Sequence, residues 1–162
     1  MGGGLGIDYD APDAEPVPDF ASYFAVFARC LETGPGQTVH FELGRSLVGQ
    51  CGELIACVLY NKTTAAGSQV VILDAGMTDL IRPALYDARH GIENLTSQAA
   101  PQTYTVVGPI CESSDTFAER IELPATSRGD LLAIRSAGAY GMAMASRYNL
   151  RDLPGAVYSD EL

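Results

Sequence analysis

Leu54-Ile55-Ala56-Cys57-Val58-Leu59-Tyr60 and Val70-Val71-Ile72-Leu73 are apolar, β-branched runs separated by the polar, glycine-containing segment from Asn61 to Ser68. Runs of this length bounded by turn residues predict two strands joined by a hairpin loop. Further on, Tyr104 to Val107 and Leu131 to Ile134 repeat the pattern between Gly and Pro punctuation. Leu80 to His90 gives mixed signals around Pro83, and the short, Met/Ala-rich stretch from Tyr140 to Tyr148 allows a helical turn. Upstream, Asp19 to Thr33 places Phe20, Phe24, Phe27 and Leu31 at helical spacing and stops at Gly34-Pro35. Gln37 to Phe41, with Val39 and Phe41 on one face, predicts a short strand. Before the helix lie a loop with Pro12, Pro16 and Pro18 and a glycine-rich turn from Gly2 to Gly6. Past the first helix, the chain reads as mainly β.

The chain has 162 residues, enough for one domain or one domain plus part of another. Its 20 acidic and 10 basic residues give a net charge of -10, which argues against the basic footprint of a nucleic-acid binder. A hydrophobic fraction of 47% with 19% charged residues excludes wholesale disorder. No apolar run has the length of a membrane-spanning helix, and no signal peptide is read at Met1 to Gly6. A soluble, cytoplasmic protein that engages neither nucleic acid nor membrane is expected. Cys30, Cys51, Cys57 and Cys111 form no CxxC and stand at no zinc-ligand spacing from His40 or His90, so no metal is expected and the thiols are read as reduced. The sequons at Asn61 and Asn94 are read as chance matches. There is one lysine, Lys62.

Taken singly, the motifs are weak. Gly2-Gly3-Gly4 offers backbone N–H groups that approach an anion closely, or is a flexible loop start. It opens no dinucleotide fingerprint, because Tyr9 stands where the third glycine belongs. Gly44-Arg45-Ser46-Leu47-Val48-Gly49 is no nucleophile elbow, since its second glycine comes one residue late.

In order, the motifs form a set. Gly2-Gly3-Gly4, Glu42-Leu43-Gly44-Arg45, Asp74-Ala75-Gly76-Met77, Arg82-Pro83-Ala84-Leu85-Tyr86, Gly108-Pro109-Ile110-Cys111-Glu112-Ser113-Ser114-Asp115 and Gly138-Ala139-Tyr140-Gly141 follow one another as in a known family. The chain resembles the diaminopimelate decarboxylases, pyridoxal-phosphate enzymes of the alanine-racemase-like fold type. Arg82 to Tyr86 followed by Cys111-Glu112-Ser113 looks more like these than like their ornithine and arginine relatives. The resemblance implies PLP-dependent decarboxylation of meso-2,6-diaminopimelate to L-lysine by a homodimer with a shared active site.

It also assigns roles. Gly2, Gly3 and Gly4 resemble the loop whose amides hold the cofactor phosphate. Glu42 resembles the carboxylate that keeps the pyridine nitrogen protonated, so that the ring accepts electrons. Gly44 and Arg45 match the next positions, where a forked guanidinium serves the cofactor phosphate and the substrate carboxylate. Arg82 and Tyr86 look like the pair that grips a substrate carboxylate. Cys111 resembles a catalytic proton donor presented across the subunit interface, and Glu112 the reader of the distal ammonium. Tyr140 looks like the tyrosine that bonds the phosphate and lines the substrate site. His90 and Asp115 are read as structural support. Leu43 departs from the family proline, and Ser114 from a common glycine.

Two family features are missing. The chemistry needs a lysine that ties the cofactor covalently, and Lys62 lies in a polar loop. An eight-stranded (β/α)8 barrel takes roughly 250 residues, more than this chain has. The fold expected is therefore α+β, mainly β: residues 1–50 as the end of an incomplete PLP-binding (β/α)8 barrel, residues 51–162 as a C-terminal β-barrel or sandwich domain, possibly truncated at its end. On this reading the chain is a fragment, inactive alone. The alternatives are an ornithine/arginine-type decarboxylase and a non-catalytic β-domain that binds a partner subunit or the cofactor.

Overall fold

The computed structural model describes residues 1–161; Leu162, the last residue of the 51–162 assignment, lies outside them. Six strands form one sheet: β1 (Leu54–Thr63), β2 (Gln69–Leu73), β3 (Ile92–Asn94), β4 (Pro101–Val107), β5 (Thr116–Pro124) and β6 (Leu131–Ile134). Their order is β3-β6-β1-β2-β4-β5. The edge strands β3 and β5 touch, so the sheet curls into a nearly closed barrel. The fold is mainly β, as the hydrophobic pattern predicts.

The β1–β2 hairpin pairs antiparallel, with Val58 opposite Leu73 and Thr63 opposite Gln69. β1 also pairs antiparallel with β6, Ala56 facing Leu132. β2 and β4 run parallel, with Val71 beside Val106. A parallel pair needs a long crossover, and residues 74–100 supply it, carrying the one-turn helix α3 (Arg82–Tyr86) and β3. Alternate residues point inward, so Ala56, Val58, Val71, Leu73, Tyr104, Val106, Phe117, Leu123, Leu132 and Ile134 fill the interior. Each fully buried leucine or isoleucine among them contributes about 1.5–3 kcal/mol.

Residues 1–50 contain no strand of the sheet. Helix α1 (Phe20–Cys30) starts at Asp19, whose carboxylate accepts a hydrogen bond from Ser22 N at 2.9 Å. The helix ends at Leu31, short of Gly34-Pro35. None of its residues is buried; Tyr23, Phe24 and Phe27 instead gather edge-to-face around Phe41 at 4.9–6.1 Å. Gln37 to Phe41 is not a strand. No strand lies beside it among the described residues, and Phe41 packs on α1 instead. The segment from Tyr140 to Tyr148 holds a 3-10 turn at Met142–Met144 and the start of another at Tyr148–Leu150.

Helix α2 (Arg45–Val48) and the 3-10 turn Gly49–Cys51 lead into β1. They dock on residues 137–141 through a backbone-to-backbone contact that only glycine permits. A Cβ on Gly138 would stand 2.0 Å from Val48 O and 2.9 Å from Gly52 N. Gly138 N donates to Gly49 O, and Ala137 N donates to Gly52 O. This contact carries Arg45 to Tyr140.

Candidate functional site

The docking of α2 on residues 137–141 and the position of α3 bring four side chains together. The Arg45 guanidinium carbon lies 6.0 Å from the Tyr9 ring centroid and 5.8 Å from that of Tyr140. Arg82 lies 4.9 and 6.0 Å from the same two rings. Neither arginine forms an ion pair with a carboxylate among the described residues; Arg135 and Arg147 hold those. Cation–π contact offsets part of the desolvation of each guanidinium, but two like charges on shared rings repel. Both guanidiniums are thus left without a carboxylate that neutralises them among the described residues.

Arg82 is 6% exposed and its Nη1 donates to Tyr9 Oη and to His90 Nε2, each at 2.9 Å. His90 Nδ1 meets Arg135 O at 2.9 Å. Burial, then the neighbouring Arg82 charge, push the imidazole below the ordinary histidine range, against the pull of the Arg135 carbonyl. Arg135 also ties the Tyr9 loop to the sheet, pairing Asp13 at 2.7 Å, Glu53 at 2.5 Å and Glu93 at 2.6 Å. Tyr140 is held at φ 62, a left-handed backbone that a bulky residue adopts at a cost of about 1 kcal/mol.

The glycine run lies against the segment that leads to Arg45. A Cβ on Gly3 would stand 2.7 Å from Glu42 O, and Tyr23 Oη donates to Gly3 O at 3.3 Å. The Met1 ammonium donates to His40 O at 2.9 Å. Gly2, Gly3, Gly4, Glu42 and Gly44 are exposed on one edge of the molecule.

Cys111 and Glu112 sit on a separate exposed loop, 108–115. Its closing residue, Asp115, is 4% exposed and accepts from Met77 N at 2.6 Å and Ile110 N at 2.7 Å. The Glu112 carboxylate accepts a hydrogen bond from Tyr148 Oη. That bond, and the carboxylate charge behind it, raise the Tyr148 phenol above the ordinary tyrosine range. No hydrogen bond joins Cys111 or Glu112 to Arg45, Arg82 or Tyr140 among the described residues.

Of the residues singled out from sequence, Arg45, Arg82 and Tyr140 come together, and Gly3 meets Glu42. Tyr86 closes α3, is 62% exposed and forms no hydrogen bond with Arg82 among the described residues. Lys62 pairs with Val70 on the hairpin, roughly 26 Å along β1 from Leu54 at the usual strand rise. Tyr9 and Tyr148 were not anticipated as parts of the site. The signal for Tyr9 is its hydrogen bond to a residue 73 positions away, which no local pattern carries.

The sequence matches the model of the pyridoxal-dependent decarboxylase C-terminal sheet domain over residues 9–138. A diaminopimelate decarboxylase of Bacteroides thetaiotaomicron is 60% identical over the whole chain, which corresponds to 42% of that protein. The crystal structure of diaminopimelate decarboxylase from Helicobacter pylori complexed with L-lysine superposes with a TM-score of 0.81 at 42% identity, over 94% of this chain and 37% of that one. A lysine/ornithine decarboxylase of Vibrio vulnificus complexed with cadaverine superposes with a TM-score of 0.80 at 27% identity, over 94% of this chain and 41% of that one. The chain thus spans about two fifths of the length of the relatives it matches. A curled six-stranded sheet and a match across 130 of its residues, 9–138, lead to one assignment: the chain belongs to the pyridoxal-dependent decarboxylases, in the part that forms their C-terminal sheet domain.

Proposed function

We propose that this chain is a portion of a cytoplasmic diaminopimelate decarboxylase, which converts meso-2,6-diaminopimelate to L-lysine and carbon dioxide in lysine biosynthesis. The observation that carries this reading is the pair Arg45 and Arg82, which share two tyrosine rings without a carboxylate partner among the described residues. The residues fit the anionic parts of pyridoxal 5'-phosphate: guanidiniums without a carboxylate partner among the described residues, and a glycine run with exposed backbone packed on the Glu42 main chain. They do not supply the covalent anchor, because Lys62 stands on the hairpin.

When bound, pyridoxal phosphate would supply an electron sink for decarboxylation. Glu42 keeps the ring nitrogen protonated. Gly2, Gly3, Gly4, Gly44 and Arg45 would hold the phosphate, and the Tyr140 hydroxyl would donate to it or to substrate. Arg82, assisted by Tyr86, takes the substrate carboxylate in a forked pair of charge-assisted hydrogen bonds. Cys111 Sγ delivers a proton to the carbon that has lost its carboxylate, and Glu112 accepts the distal ammonium. Cys111 and Glu112 do so in the neighbouring subunit of a homodimer; their exposure, with no hydrogen bond to the arginine pair among the described residues, supports that reading.

The higher identity to diaminopimelate enzymes than to the lysine/ornithine enzyme favours diaminopimelate as substrate. The chain alone does not turn over substrate, since no lysine reaches the site. The test is to mix the chain with the remaining part of the Bacteroides thetaiotaomicron enzyme and pyridoxal phosphate, then follow carbon dioxide release. Release from meso-diaminopimelate by the mixture, and none by the chain alone, is expected. Preference for ornithine, or turnover by the chain alone, contradicts the proposal.

A further inference from the structure

Arg82 Nη1 carries two hydrogens, and both are taken, one by Tyr9 Oη and one by His90 Nε2. Nε and Nη2 carry no hydrogen bond among the described residues. These two nitrogens form the side edge of the guanidinium whose parallel N–H groups match a carboxylate. Pinning Nη1 therefore decides which edge of the fork is offered.

The histidine can hold Nη1 in only one chemical form. Nε2 accepts from Arg82, so it bears no proton; Nδ1 faces the Arg135 carbonyl, which only accepts, so it bears one. The two contacts together define a neutral imidazole protonated at Nδ1. The groups that face the ring come from three elements. Tyr9 of the N-terminal loop stands edge-on at 5.0 Å, Arg82 comes from α3, and the Arg135 carbonyl follows β6. No carboxylate hydrogen-bonds the ring among the described residues; the Arg135 carbonyl alone favours the imidazolium, and burial together with the Arg82 charge outweighs it. The Arg135 main chain is held by its own N–H, which donates to Gly91 O at 2.8 Å, and its guanidinium by three carboxylates.

We propose that His90 is a positioning residue: as the Nδ1-protonated neutral imidazole, it holds Arg82 Nη1 and turns the Nε/Nη2 edge toward the substrate carboxylate. The inference rests on the reading of Arg82 as the carboxylate-binding arginine.

The test has two arms. In the chain labelled with 15N-histidine, with His40→Gln used to separate the only other histidine, His90 shows the neutral Nδ1–H signature at about pH 8, above the ordinary imidazole range. An Nε2–H tautomer, or an imidazolium, overturns the proposal. In the second arm, pimelate, a plain seven-carbon dicarboxylate, is titrated calorimetrically into the chain and its variants. His90→Gln places an amide oxygen where Nε2 was and keeps affinity within about threefold, while His90→Asn, which reaches only the Nδ1 position, loses about tenfold or more. Melting temperatures of the two variants that agree separate positioning from folding. Equal affinity of His90→Asn and the parent, or equal loss in both variants, overturns the role of His90 alone. Failure of the parent chain to bind pimelate overturns the carboxylate reading of Arg82 and the positioning role with it.

Discussion

Arg45 and Arg82 address the same two rings, at 6.0 and 4.9 Å from Tyr9 and 5.8 and 6.0 Å from Tyr140. The two arginines are fixed by unrelated means. Arg45 rides on α2, whose place is set by the glycine contact with residues 137–141. Arg82 is buried on α3 and hydrogen-bonded to Tyr9 and His90. Substituting either separates their tasks.

In the mixture with the remaining part of the Bacteroides enzyme, Arg45→Met is expected to weaken pyridoxal phosphate binding about 100-fold. Arg82→Met leaves cofactor affinity nearly intact and raises KM for meso-diaminopimelate by a similar factor. Both figures correspond to losing a forked, charge-assisted pair worth about 3 kcal/mol. Cofactor absorbance and steady-state kinetics read the two effects independently.

Gly138→Ala puts a methyl group into the backbone of Val48, Gly49 and Gly52. Relief requires moving α2 away from Tyr140, so the substitution costs about 3 kcal/mol. Urea denaturation measures the loss, and weaker pyridoxal phosphate binding in the mixture with the remaining part of the Bacteroides enzyme reports the displacement of Arg45.

Asp115 holds the loop that bears Cys111 and Glu112. Asp115→Ala strands the N–H groups of Met77 and Ile110, a loss of about 2–4 kcal/mol. Burial raises the Asp115 carboxyl above the ordinary carboxylate range, more than its amide donors lower it. The folded chain therefore binds that proton more tightly than the unfolded chain does. The resulting stability is complete below the ordinary aspartate pKa and declines as pH rises through the raised one. Asp115→Asn, which has no proton to bind, removes this slope from a plot of unfolding free energy against pH.

Tyr148 donates to Glu112, and the carboxylate resists formation of a phenolate beside it. With 13C-labelled tyrosine rings, Tyr148 is expected to titrate above the ordinary tyrosine range. Glu112→Gln, which removes the charge, returns it downward.

The strands β1, β2, β4 and β6 were legible because their inward residues form continuous apolar runs or strict alternations. β5 was not. Arg120 sits at φ 54 in its middle and the register shifts there against β4, so a bulge breaks the period on which such reading depends. β3, with three residues, is too short to show a period. Gln37 to Phe41 has strand-like alternation, but alternation does not supply a partner strand, and its aromatic residue serves α1. In the site, Arg45, Arg82 and Tyr140 were visible through their motifs. Tyr9 was visible only as a missing glycine, since its partner stands 73 residues away. His90 carries no motif role, and its chemical form depends on a carbonyl 45 residues further along.

The most direct measurement of the central claim, that this chain holds the anion-binding part of the site without its covalent anchor, is borohydride reduction of the chain mixed with pyridoxal phosphate, followed by intact-mass analysis. The account predicts an unchanged mass, with any bound cofactor released on denaturation. A mass increase of one reduced cofactor, mapped to Lys62, contradicts it.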